Sequence, residues 1–322
     1  MKRALSVILA LCMVLALCAC GQQAAPTTPD SSATEPSVDY VPVTVENYGR
    51  TITIEKMPEK VVTAGPNCTE VFCALGLAGK VVGNSCDNHS RGPLDIWAAD
   101  YETIPELTYG YPTIEAVVSS GCDFLYAIDW VFEGDFTVEA IEKYGITVFV
   151  CEATDYEGVW KEIRQLGEIF GVSAAADAFV TSEQARLDAV AKAIEGKDVL
   201  KVFVYDSDTG NGVYTCGGPN IETQFIASAG GVNIFADVDD AWFGVSYEEI
   251  LAANPDVIIV HDYEEASFAD NVAAMKADAL LSQLDAVKNE RFLKLSLESA
   301  LPGSRTAYSV EAIAQGMFPD AF

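Results

Sequence analysis

From residue 41 onward, short runs of β-branched and aromatic residues alternate with stretches of helical spacing. Val61-Val62-Thr63-Ala64, Val81-Val82-Gly83, Phe124-Leu125-Tyr126-Ala127 and Val148-Phe149-Val150 read as strands, and Thr69–Leu75, Ile114–Ser119 and Thr137–Tyr144 as helices. A long helix follows over about 174–195, with Ala178, Ala185, Leu187, Val190 and Ile194 on one face. The alternation then resumes. Val202-Phe203-Val204-Tyr205, Gly212-Val213-Tyr214 and Val257-Ile258-Ile259-Val260 read as strands, and Ile221–Ala229, Tyr247–Ala253, Val272–Asp278 and Val310–Gln315 as helices. Strands separated by helices imply βαβ units and parallel sheets. The pattern predicts an α/β protein of two Rossmann-like lobes joined by a single long α-helix.

A repeat supports two lobes. Residues 113–129 (TIEAVVSSGCDFLYAID) and 246–262 (SYEEILAANPDVIIVHD) align without a gap, with Glu115 opposite Glu248, Asp123 opposite Asp256 and Asp129 opposite Asp262. Thr113 and Ser246 suit a helix N-cap, so each block reads as a capped helix, a tight turn at Asp and a buried strand. The expected division is an N-terminal lobe over 41–172, a linker helix over 173–196 and a C-terminal lobe over 197–322.

Ahead of the body, Met1-Lys2-Arg3 and the apolar run Ala4 to Leu17 read as a secretory signal, too short to span a bilayer comfortably. Leu17-Cys18-Ala19-Cys20-Gly21 resembles a bacterial lipobox, with residues 1–19 removed and Cys20 lipidated; Cys18 is the competing position, and an ordinary cleaved signal the plainer alternative. Residues 20–40, rich in Ala, Pro, Thr and Ser, form a flexible tether. The expected location is the extracytoplasmic face of the cell membrane, with a lipid anchor.

Charge narrows the partners. Lys plus Arg number 19 against 48 Asp plus Glu, a net charge of −29, which excludes a basic surface for nucleic acid or for anionic lipid headgroups. Cys68, Cys73, Cys86, Cys122, Cys151 and Cys216 show no CxxC pair and lie in apolar segments, so we expect mostly free buried thiols with room for one bridge. Only His89 and His261 are available to a Cys/His zinc cluster, and no resident metal or intrinsic cofactor is expected.

Further segments are recognisable together. Trp242-Phe243-Gly244-Val245-Ser246-Tyr247-Glu248-Glu249-Ile250-Leu251 runs into Asn254-Pro255-Asp256-Val257-Ile258-Ile259-Val260. Asn67-Cys68-Thr69-Glu70, Tyr109-Gly110-Tyr111, Gly230-Gly231-Val232-Asn233 and the tail Phe318-Pro319-Asp320-Ala321-Phe322 occur in consistent order. Over roughly residues 45–322 the chain resembles the substrate-binding proteins of ABC importers for ferric siderophores, haem and cobalamin. The resemblance implies the helical-backbone periplasmic binding protein fold, a ligand cleft between the lobes, and no catalysis. It also implies that Glu115 and Glu248, one per lobe, dock on the permease subunits, where a carboxylate meets arginine. The bland alternative is that both merely complement a helix dipole.

The cleft is expected at loops after the carboxyl ends of the strands, over residues 84–91, 109–111 and 129–132 in the first lobe and 206–211, 214–217, 242–243 and 261–263 in the second. Trp242 is the leading ligand contact, with Tyr109, Trp130, Phe243 and Tyr214 as further aromatics and His89 in a cleft loop. Arg91 and Arg305 are candidates to pair with an acidic ligand group. Trp160 reads as core. With so few cations, a neutral ferric hydroxamate or a corrinoid fits more easily than an anionic catecholate. The function expected is capture of an iron–siderophore complex by a monomer, with the iron brought by the ligand; haem and cobalamin are the alternatives. A bare metal ion or a surface-anchored enzyme is more remote, since no P-loop, GxGxxG, GxSxG or HExxH occurs and Gly217-Gly218-Pro219-Asn220 reads as a tight turn.

Overall fold

The first lobe is built on a parallel five-stranded sheet in the order Glu106–Thr108, Val81–Ser85, Val61–Ala64, Phe124–Ile128, Thr147–Cys151. The computed structural model describes residues 40–210, 212–263 and 267–322. The proposed lipidation site Cys20, the whole of residues 1–39 where a signal and tether were expected, and Asn211 lie outside them. Val61–Ala64 and Phe124–Ile128 are buried along their whole length, as strands covered by helices on both faces must be. A hairpin of Val43–Asn47 and Arg50–Ile54, not foreseen, turns at Tyr48 and Gly49, both at positive φ. Asn47 exchanges two hydrogen bonds with the backbone of Val150, at 2.8 and 2.7 Å, which ties the hairpin to the adjoining edge strand.

The second lobe carries a parallel four-stranded sheet in the order Gly231–Asn233, Leu200–Tyr205, Val257–Asp262, Phe292–Ser296. Side chains alternate across it. Val202, Val204, Val257 and Ile259 join the core that continues into the first lobe, whereas Phe203, Tyr205, Ile258 and Val260 form a second core on the opposite face. A separate antiparallel ribbon pairs Gly212–Cys216 with Trp242–Ser246 and with Ser207–Asp208. Trp242–Phe243, expected in a loop, is therefore the start of a strand.

The α/β architecture agrees with the expectation, and the six body cysteines are all buried and unbridged. The connecting helix, Ser173–Ala193, differs in its buried face. Ala178 and Ala185 are exposed, and the face is set by Ala176, Val180, Glu183, Leu187 and Val190. A buried charge hid this pattern. Glu183 accepts the Ala307 N–H at 2.8 Å, at the start of the last long helix, and binds Arg186 at 2.7 Å. Arg186 in turn grips Glu311 through Nε and Nη2 at 2.9 and 2.6 Å, so the connecting helix is fastened to the helix Thr306–Met317.

The repeat has a structural cause. Thr113 and Ser246 cap their helices, and Ser246 forms a full capping box with Glu249. Gly121 and Asn254, equivalent in the alignment, both take left-handed φ values (68° and 42°) to stop the helices. The Asp123 carboxylate accepts the Lys60 N–H at 2.9 Å and Asp256 accepts the Lys201 N–H at 2.7 Å. Each aspartate thus pins the turn to the beginning of the neighbouring strand.

Candidate functional site

Strand ends from both sheets converge on one cleft. His89 follows Val81–Ser85, Trp130 follows Phe124–Ile128, Asp206 follows Leu200–Tyr205 and Tyr263 follows Val257–Asp262. Tyr111, Tyr214, Trp242, Leu297 and Leu301 complete the wall of a cavity of about 350 Å³. A smaller cavity of about 150 Å³ shares Trp130, Trp242 and Leu301 with it and is also lined by Asp129, Glu152 and Asn220. This is the position where open α/β sheets bind ligands.

The rings form two groups. On the first lobe, His89 meets Tyr111 edge-on (5.7 Å) and lies 5.4 Å from Trp130, and it stacks across the cleft on Tyr263 at 5.9 Å. On the second, Trp242 pairs across the ribbon with Cys216, and its diagonal neighbour Tyr214 stacks on it at 5.9 Å. The Trp242 ring stands edge-to-face against His261, 6.0 Å away.

His261 is wholly buried behind that ring. Its Nδ1 lies 2.9 Å from Asp206 Oδ1, and its Nε2 lies 3.1 Å from both oxygens of Glu222. A neutral imidazole donates from one nitrogen only, so two ionised carboxylates on its two nitrogens call for an imidazolium. Burial favours the neutral ring, but Glu222 and Asp206 outweigh it and push the pKa up to about 10. Asp206 also accepts from Ser207 Oγ at 2.9 Å, and it faces the cavity.

The sequence candidates divide. Trp242, Trp130, Tyr214 and His89 lie on the cavity wall, whereas Tyr109, Phe243, Arg91 and Arg305 do not line it. Strand alternation turns Phe243 to the opposite face from Trp242, where it meets Phe235 edge-on at 5.6 Å. Tyr109 is exposed, and Tyr111, two residues on, faces the cavity. Tyr111, Asp206 and Tyr263 fall inside the loops expected to line the cleft, though none was named as a contact; Leu297 and Leu301 lie outside those loops and gave no signal.

Both arginines instead tie the lobes together. Arg305 of the second lobe is 5% exposed and forks onto Glu70 of the first, while its Nη1 reaches Glu298 at 3.1 Å and its Nη2 the Gly92 carbonyl at 2.7 Å. Arg91 reaches back from the first lobe to Asp262 at 3.0 Å and to the Tyr263 carbonyl at 2.7 Å. Burial raises the Asp262 carboxyl, but Lys294, the Phe268 N–H and Arg91 together hold it below the usual carboxylate range. In so acidic a chain these cations are used to neutralise buried carboxylates.

Away from the cleft, Glu115 and Glu248 are exposed in the first turns of the two repeated helices, neither with a hydrogen bond or ion pair among the described residues. Among the described residues, no group of three or more His, Cys, Asp or Glu side chains is placed to hold a metal ion, and no helix is long and apolar enough to cross a membrane.

Residues 61–296 match the periplasmic binding protein family. The chain is 27% identical over 313 residues to the ABC transporter substrate-binding lipoprotein YvrC of Bacillus subtilis, covering 95% of this chain and 94% of that one. It is 31% identical over 272 residues to a cobalamin-binding protein of Halobacterium salinarum, covering 82% and 69%. The structure of an ABC-type Fe3+-hydroxamate transport protein from Saccharomonospora viridis superposes with a TM-score of 0.73 at 25% identity, covering 86% and 99%. The chain belongs to the periplasmic binding protein family, as a substrate-binding component of ABC importers and not an enzyme.

Proposed function

We propose that the chain captures a corrinoid in the inter-lobe cleft and delivers it to an ABC importer. The observation that carries this reading is the cleft wall, in which, among the described residues, aromatic rings from both lobes line the cavities and no Lys or Arg does. A corrinoid is a broad macrocycle with a periphery of neutral amides. It calls for ring faces and hydrogen-bonding groups, and not for a cationic pocket. Haem carries two carboxylates and a catecholate chelate several negative charges, and either would meet an acidic cleft without compensating cations. The likeness to the Halobacterium cobalamin-binding protein supports the same class.

A neutral ferric hydroxamate is the second reading, favoured by the likeness to the Saccharomonospora protein and by the same lack of cations. In either case the metal enters only within the ligand. Isothermal titration with cyanocobalamin and with a neutral ferric hydroxamate separates the two. Submicromolar binding of cyanocobalamin with none of the hydroxamate supports the first reading, and the reverse result supports the second.

Delivery on this reading uses Glu115 and Glu248, exposed on pseudo-equivalent helices, as contacts for two permease subunits. Cys20 carries the lipid that holds the protein at the membrane surface.

A further inference from the structure

We infer that the buried array Asp206–His261–Glu222 sets the charge selectivity of the cleft, making it accept neutral and cationic corrinoids and reject anionic ones. The inference rests on the corrinoid reading and adds a determinant of specificity to it.

The geometry is specific. Glu222 and His261 have no exposed surface, and Asp206, nearly buried, is the member of the three that reaches the cavity wall. With both imidazole nitrogens held by carboxylates, one positive ring is shared by two negative groups. The array therefore carries a net single negative charge, presented to the cavity through Asp206. Asp129 and Glu152 add carboxylates in the smaller cavity; both keep exposed surface, and partial burial raises the Asp129 carboxyl above its ordinary value. The array lies where screening is weak, beneath Trp242 and beside Tyr263. Arg91 and Lys294 both bind the adjacent Asp262, and their side chains, 36% and 58% exposed, are screened by solvent.

Alternative explanations of the array fail on the same distances. A neutral Asn or Gln at either carboxylate position would satisfy one ring nitrogen equally well for packing alone. Burying two carboxylates around one histidine is a costly way merely to seat a tryptophan. What the second carboxylate adds is charge.

The test compares three ligands of one shape. Cyanocobalamin is neutral, its monocarboxylic acid is an anion, and the aminoethylamide of that acid is a cation. Their dissociation constants are measured by calorimetry near neutral pH on the purified chain and on Asp206→Asn and Glu222→Gln. The ratio of anion to cation dissociation constants is the readout, because loosening of the site weakens all three ligands alike and cancels. Each variant removes one of the two carboxylates, and Asp206→Asn removes the one that faces the cavity.

The wild-type chain is expected to prefer the cation over the anion by about tenfold, and each variant to reduce that preference about three- to tenfold. Glu222→Gln keeps the test decisive where Asp206→Asn does not fold. A preference absent in the wild type, or unchanged in the variants, overturns the inference and leaves the corrinoid reading standing. Failure of all three corrinoids to bind overturns that reading, and the inference with it.

Discussion

Replacing Arg305 with methionine would leave Glu70 and Glu298, each 1% exposed, without their shared cation between the lobes. Removing one partner of a buried ionic cluster costs about 3–5 kcal/mol, since the remaining charges keep their desolvation penalty. For a body spanning residues 40–322 the entropy of unfolding is about 0.6 kcal/mol per degree, so melting should fall by about 5–8 °C. The loss should depend on pH. Burial already raises the Glu298 carboxyl against the pull of Arg305, and removing the arginine raises it further. A carboxyl with a folded-state pKa above its unfolded value stabilises fully below the unfolded pKa and loses that contribution as pH rises. Arg305→Met should therefore be less damaging near pH 5 than near pH 8. Scanning calorimetry at several pH values measures both effects. The triple variant Arg305→Met/Glu70→Gln/Glu298→Gln, which removes the charges together, should recover most of the loss. A fall below about 2 °C, or the same fall at every pH, would refute the reasoning that this cluster is a buried electrostatic tie between the lobes.

Trp242→Ala should weaken ligand binding about 10–100-fold by calorimetry while lowering stability by only about 1 kcal/mol, because the ring is half-buried and its stacking partner Tyr214 is exposed. Glu115→Ala and Glu248→Ala should leave affinity unchanged and reduce importer-driven uptake in reconstituted vesicles; lost affinity would contradict their role as permease contacts. Burial pushes the Glu162 carboxyl up to about 8, so stability should decline by on the order of 1 kcal/mol per pH unit between about pH 5 and 8. Glu162→Gln should flatten that decline, as read by urea unfolding across the range.

Much of the fold was legible because its strands are continuous apolar runs and its helices carry capping residues. Helices Ile114–Ser119 and Tyr247–Ala253 have the predicted bounds, each set by a cap at the start and a left-handed residue after the end. Two of the edge strands were not legible. Glu106–Thr108 has three residues, and Phe292–Ser296 has Lys294 at its exposed position, so neither forms a run. The face of the connecting helix was misread because Glu183 is buried for a tertiary reason, to accept the Ala307 N–H. The same blindness affected the cleft. Loops after strands located it, but whether Tyr109 or Tyr111 faces inward depends on one turn's geometry. Arg91 and Arg305 were scarce enough to stand out, yet their partners Asp262 and Glu70 lie far away in sequence. Nothing local distinguishes an arginine that meets a ligand from one that joins two lobes.

The central claim is that a cleft walled by aromatic rings, with no lining cation among the described residues, holds a corrinoid. Calorimetric titration of the purified chain with cyanocobalamin, beside a neutral ferric hydroxamate and haem, tests it most directly. The account predicts one-to-one submicromolar binding of cyanocobalamin, lost in Trp242→Ala, with no heat from haem. Tight binding of haem or of the hydroxamate, with cyanocobalamin silent, would contradict it.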